Sequence, residues 1–95
     1  MSRKVQVNLE ATMTGIETEG PSAGDLVCPK IYLWKISAKG LRYKRTGEID
    51  HGTQVKVVER TTGAAGEVLF FVVSKKNRRV KGWVTERFLD FGETL

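Results

Sequence analysis

One stretch constrains the fold of this chain more than any other: Lys81-Gly82-Trp83-Val84-Thr85-Glu86-Arg87-Phe88-Leu89. A basic run precedes the glycine, an aromatic and a β-branched residue follow it, and Phe-Leu comes three residues later. Aromatic and β-branched side chains suit a pleated, half-buried surface. The pattern predicts a strand over residues 80–85 that turns directly into one short helical turn over residues 85–89.

The preceding residues repeat the strand signal. Val5, Val7, Leu9, Ala11 and Met13 alternate with Lys4, Gln6, Asn8, Glu10 and Thr12, five matches to the period of a half-buried strand. Residues 14–30 hold Gly15, the run Gly20-Pro21-Ser22-Ala23-Gly24-Asp25, and Pro29, which read as a long loop or linker. The N-terminal strand is therefore expected to be an extension joined loosely to the rest. Residues 31–36 predict a strand, and residues 37–48, bracketed by Gly40 and Gly47, a partly ordered excursion, within which Leu41 and Tyr43 alternate with Arg42 and Lys44 as expected of a short irregular strand pair. Asp50-His51-Gly52-Thr53 is a tight-turn signal. It leads into an alternating strand over residues 54–60, with Val55 and Val57 inward. After a flexible connection at 61–66, residues 67–74 form the most apolar segment, expected as a central strand covered on both faces. Lys75-Lys76-Asn77-Arg78-Arg79 predicts a hairpin tip, with Asn77 able to take a left-handed conformation. No stretch carries helical periodicity over more than two turns. Short strands with glycine-bearing turns indicate a small all-β barrel.

Composition narrows the function classes. Ninety-five residues with 40% apolar and 28% charged content describe one globular domain with a modest core. The longest apolar run, residues 68–73, is far too short to span a bilayer, so no membrane partner is expected. A signal peptide needs an apolar stretch after its basic start, and the first ten residues lack one; a cytoplasmic location is expected for the chain as written. One cysteine, Cys28, and one histidine, His51, exclude an intrachain disulfide and a Cys/His zinc site. The net charge of +5 is uneven. Residues 1–30 carry three basic and four acidic side chains, residues 31–95 thirteen and seven. A basic surface attracts nucleic acid, anionic lipid or acidic protein, and it also keeps a domain soluble.

The order of the segments then resembles a known family. Gly47-Glu48-Ile49-Asp50-His51-Gly52-Thr53-Gln54-Val55-Lys56-Val57 is similar to the glycine-and-apolar pattern of bacterial SH3-like (SH3b) domains. Gly82-Trp83-Val84 with Phe88-Leu89 looks like that family's closing motif. The resemblance covers about residues 31–91. It implies an SH3-like barrel over residues 31–95, preceded by a strand and linker over residues 1–30. It also implies a turn at Gly52 that a Cβ would strain, close backbone approach at Gly82, and Trp83 and Phe88 covering opposite parts of the barrel's open end. The family's usual Leu-Asn-Val-Arg segment is missing here. So is the acidic loop with which eukaryotic SH3 domains read basic residues beside polyproline. Lys39, Arg42, Lys44 and Arg45 stand in that region instead, which argues against proline-rich ligands.

The residues offer little to catalysis. His51 would need a positioned nucleophile, and nothing in the sequence places Cys28 beside it. No phosphate-cradling loop or carboxylate cluster is visible. A non-enzymatic chain without a cofactor or metal is expected. Lys75, Lys76, Arg78, Arg79 and Lys81 put five positive charges into seven residues. At a hairpin tip they would project together and could follow a phosphate backbone, or simply protect a hydrophobic hairpin from edge aggregation. Eight aromatic residues are too many for so small a core. Tyr32 and Trp34 share a face, and Phe70 lies opposite to Phe71. Trp34 and one of the two phenylalanines are expected in the core. The expected ligand surface is a shallow cationic and aromatic groove built from Tyr43, Arg45, Arg78, Arg79, Lys81 and Trp83. The expected partner is a protein or peptide bound by a monomer. Nucleic acid is the alternative. A cell-wall peptide, the frequent ligand in the resembled family, requires export or a larger protein.

Overall fold

The computed structural model describes residues 4–92. Seven strands run in chain order: β1 (Val5–Met13), β2 (Lys30–Ile36), β3 (Arg42–Asp50), β4 (Gln54–Thr62), β5 (Val68–Ser74), β6 (Lys81–Thr85) and β7 (Leu89–Asp90). A single 3-10 turn, Glu86–Phe88, joins β6 to β7. The strands make one antiparallel sheet in the order β3-β2-β6-β5-β4-β1-β7. It curls into a half-barrel, the all-β architecture of a small SH3-like barrel with an added N-terminal strand and a short C-terminal helical turn.

The most apolar segment, β5, stands at the middle of that order. Its two faces serve different surroundings. Phe70 and Val72 enter the main core with Ala11, Met13, Ile31, Leu33, Ile49, Val55, Val57, Val84 and Leu89. Leu69 is also fully buried but lies outside that cluster, and Phe71 stacks edge-on against Trp83 with centroids 5.5 Å apart.

The N-terminal strand is not loosely joined. β1 pairs with β4 from Val5↔Arg60 to Thr12↔Gln54 and with β7 at Thr12 and Met13. Met13 is completely buried. The loop over residues 14–29 is tied back as well. Within it Gly15 accepts hydrogen bonds from the Val27 and Cys28 amides and Ile16 bridges Leu26; the Thr14 amide donates to the Phe88 carbonyl at 2.8 Å, the His51 amide to the Pro29 carbonyl at 2.9 Å, and Arg87 pairs with Glu17 at 3.7 Å. The alternation of β1 is broken, however. Between Gln6 and Leu9 three residue steps of β1 span two of β4, a bulge that re-aims the side chains. Val5 and Leu9 stay exposed, and Ala11 and Met13 alone of the five alternating residues are buried.

Residues 37–48, expected as a partly ordered excursion with a short irregular strand pair, supply most of β3, a single nine-residue strand paired along β2 with two register shifts. Alternating charge hid its full length, because only Ile49 of β3 is buried. Asn77 is not left-handed; among the described residues every positive φ belongs to glycine. The tip is closed by other means: the Val80 amide donates to the Asn77 carbonyl at 2.9 Å and the Arg79 amide to Asn77 Oδ1 at 3.1 Å. Two glycine expectations hold. Gly52 has φ +90°. At Gly82 a Cβ would lie 2.6 Å from Thr46 Oγ1, 2.8 Å from Leu33 Cβ and 3.0 Å from the Trp34 nitrogen.

Candidate functional site

The sheet presents an open groove of about 490 Å³ on the face away from the main core. Trp34, Phe71, Trp83 and Tyr43 provide its rings, and Lys35, Arg79 and Lys81 its charges. The register explains the arrangement. Trp34 of β2 is paired with Trp83 of β6, and Trp83 with Phe71 of β5. Three aromatic side chains therefore cross adjacent strands on one face, at the close spacing that makes cross-strand pairs interact.

β3 completes the groove through its irregularities. Leu33↔Gly47 is followed by Trp34↔Arg45, and Lys35↔Lys44 by Ile36↔Arg42. The two extra residues are Thr46 and Tyr43, and both line the groove. Bulges commonly turn a side chain out of its expected direction. Thr46 also donates its hydroxyl to the Lys81 carbonyl at 2.9 Å, fastening β3 to β6 where Gly82 leaves room.

Cations stand over rings around the groove. The Arg42 guanidinium lies 5.7 Å from the Trp34 centroid, that of Arg45 4.5 Å from Tyr32, and the Lys4 ammonium 5.6 Å from Trp83. Each such contact contributes roughly 0.5–1 kcal/mol at an exposed site and holds a flexible cation near the aromatic face. Tyr43 is 64% exposed and Trp83 only 5%. The tyrosine is thus a free ring at the rim, and the tryptophan a buried floor.

Four of the six residues expected in the groove meet there: Tyr43, Arg79, Lys81 and Trp83. Arg45 sits next along β3 on Tyr32, outside the lining, and Arg78 is exposed without lining it. Trp34 and Phe71 are groove residues, each half-buried, and Phe70 is the core aromatic. The core expectation for Trp34 is thus corrected: its pairing with Trp83 sets it on the groove face, a cross-strand relation that no local pattern encodes. Phe88 packs against the core from the 3-10 turn, whereas Trp83 lies outside that cluster.

The basic hairpin does not project as one finger. Lys75 turns back to form an ion pair with Glu10 of β1. The hydrogen bond from Lys75 and its positive charge hold the Glu10 carboxyl below its usual range. Lys76 borders a second concavity, of about 510 Å³, beside Glu48 and Asp50. Only Arg79 and Lys81 reach the groove.

Cys28 and His51 come to the same corner of the fold, on either side of Gly15. A Cβ on Gly15 would overlap the Cys28 backbone, and the Gly15 amide donates to His51 Nδ1 at 3.0 Å. The His51 amide in turn donates to the Pro29 carbonyl. The imidazole thereby fastens the loop over residues 14–29 to the β3–β4 turn, a job for the neutral ring, whose Nδ1 lone pair is the acceptor. Among the described residues no three His, Cys, Asp or Glu side chains gather in a way that could hold a metal ion, and no helix is long and apolar enough to cross a membrane. No family model matches the chain, and neither a characterised protein nor a solved structure does.

Proposed function

We propose that this protein is a non-catalytic binding module that takes an extended acidic protein segment in the groove between β3 and the β5–β6 hairpin. The observation carrying the reading is the lining itself. Trp34, Tyr43, Phe71 and Trp83 stand beside Lys35, Arg79 and Lys81, and among the described residues no carboxylate lines the groove. Rings supply apolar contact at low entropic cost, as in many interfaces. Unpaired cations select and steer an acidic partner. The resemblance to SH3b domains is kept on the same terms: close packing at Gly82 and the Trp83 floor suit its closing motif. A bacterial source is its corollary, as is a cell-wall ligand if the protein is exported or part of a larger one; the cytoplasmic expectation rests on the N-terminal sequence alone.

Titration of a fluorescein-labelled peptide of alternating Glu and Tyr tests the reading at low salt. Binding is expected to quench Trp34 and Trp83 fluorescence. It should weaken more than about tenfold in Arg79→Glu/Lys81→Glu, as loss of facing charge pairs does elsewhere. Arg78→Glu, outside the groove, should leave it nearly unchanged. Absence of binding, or equal binding by all three proteins, would refute the proposal.

A second reading, a small basic nucleic-acid-binding protein, has its own observation. The Arg45–Tyr32 and Arg42–Trp34 stacks extend the aromatic surface onto β2 and β3, and sheet-borne rings with cations form platforms for single-stranded bases. Oligothymidylate titrated at two salt concentrations separates the readings. Tight, steeply salt-dependent binding that Tyr32→Ala weakens favours nucleic acid.

A further inference from the structure

The edge of the sheet at β3 carries a pattern that the groove does not use. β3 is nine residues long and, among the described residues, pairs only with β2. One row of its backbone N–H and C=O groups therefore has no strand beside it, which is a template for pairing with another chain. Its exposed charges are segregated by sign. Arg42, Lys44 and Arg45 occupy the first half, Glu48 and Asp50 the second. None of the five joins an ion pair among the described residues.

Charge on an edge strand usually prevents pairing, because like meets like. Here the outcome depends on direction. Two β3 strands laid parallel would oppose equal signs. Laid antiparallel about a two-fold axis near Thr46, they bring Arg42 toward Asp50 of the second copy and Lys44 toward its Glu48. Antiparallel order also agrees with every ladder in the sheet. Such contact is isologous, each copy offering the same patch, and it closes, because pairing consumes both β3 edges.

We infer that β3 is the dimerisation edge of this protein, joining two copies antiparallel through their sheets. The two grooves then lie side by side across the axis. This differs from the monomer expected from the sequence. It stands whether or not the groove takes an acidic segment.

Sedimentation equilibrium of the full chain from about 1 µM to about 1 mM, the range of modest affinities, tests the inference. The mass is expected to rise from the 10.6 kDa of one chain toward twice that value. Glu48→Lys/Asp50→Lys makes the edge all basic, and Arg42→Glu/Lys44→Glu/Arg45→Glu makes it all acidic. Each should remain single across the range, with a dissociation constant raised more than about tenfold, and an equimolar mixture of the two should associate. All five positions are exposed, and circular dichroism checks that the variants fold. A measurement on the unaltered chain stands beside these: amide resonances of β3, not those of β7, should shift with concentration. A wild-type chain that stays single throughout would overturn the inference. So would variants that dimerise like the wild type, a mixture that does not associate, or concentration shifts confined to other strands.

Discussion

Gly82 holds two parts of the molecule in place at once. Its missing Cβ admits Leu33 from the core and Thr46 from the edge strand, and the Thr46 hydroxyl then bonds the Lys81 carbonyl. A methyl group there must displace Leu33 or the β2 backbone, since neither atom lies at the free end of a long side chain. Overpacking of this kind costs roughly 1–3 kcal/mol. Gly82→Ala is therefore expected to lower the urea midpoint without changing the slope, and to loosen the groove because Thr46 is one of its walls. Gly82→Ala with Thr46→Ser keeps the hydroxyl and removes a methyl group from the wall. If Gly82→Ala unfolds at the wild-type midpoint, the close approach has been misassigned. The residue was legible in the sequence as a glycine inside a strand pattern, where close backbone approach is one of few explanations. Its partners were not legible, because they come from β2 and β3, 36 to 49 positions away.

At the scale of elements, the strands easiest to read were those with one buried face. β4 announced Val55 and Val57, and β5 announced itself by an unbroken apolar run. The alternation of Leu41 and Tyr43 with charges marks only a short piece of β3, because an edge strand with one buried residue has no apolar period to display its full length. β1 was read as a strand from five alternating residues, of which the bulge leaves only Ala11 and Met13 buried. The groove followed the same rule. Tyr43 was recognised by type, but its direction is set by a bulge that no local pattern encodes. Burial predicts how β1 responds to mutation. Met13→Ala should destabilise by about 2–5 kcal/mol, the usual cost of deleting a large buried side chain. Leu9→Ala, at an exposed position of the same strand, should stay within about 0.5 kcal/mol. Thermal or denaturant unfolding of the two variants measures the difference. Equal, small effects would mean that β1 is the loose extension its flanking glycines suggest.

Across the whole molecule, strand order sets a gradient of protection. β5 has neighbours on both sides along its length, β4 and β6, and its side chains reach both the core and the groove floor. At one margin β3 has a single neighbour, and at the other β7 holds only Leu89 and Asp90 against β1. Local opening frees little buried surface at an edge and a great deal at the centre. Native-state hydrogen exchange at low protein concentration should find the amides of Leu69 to Val73 exchanging only through global unfolding, together with their partners in β4. Amides of β3 on the side away from β2 should exchange orders of magnitude faster. The loop over residues 14–29 provides the sharper discrimination. The Val27 and Cys28 amides close it on Gly15, and it is attached to the barrel by the Thr14 amide on the Phe88 carbonyl, the Gly15 amide on His51, the His51 amide on the Pro29 carbonyl, and Arg87 on Glu17. If they act as a unit, His51→Ala should speed exchange at Gly15, Val27 and Cys28 together while leaving β5 unchanged. Acceleration at Gly15 alone would show independent contacts and a loop held piecemeal to the barrel.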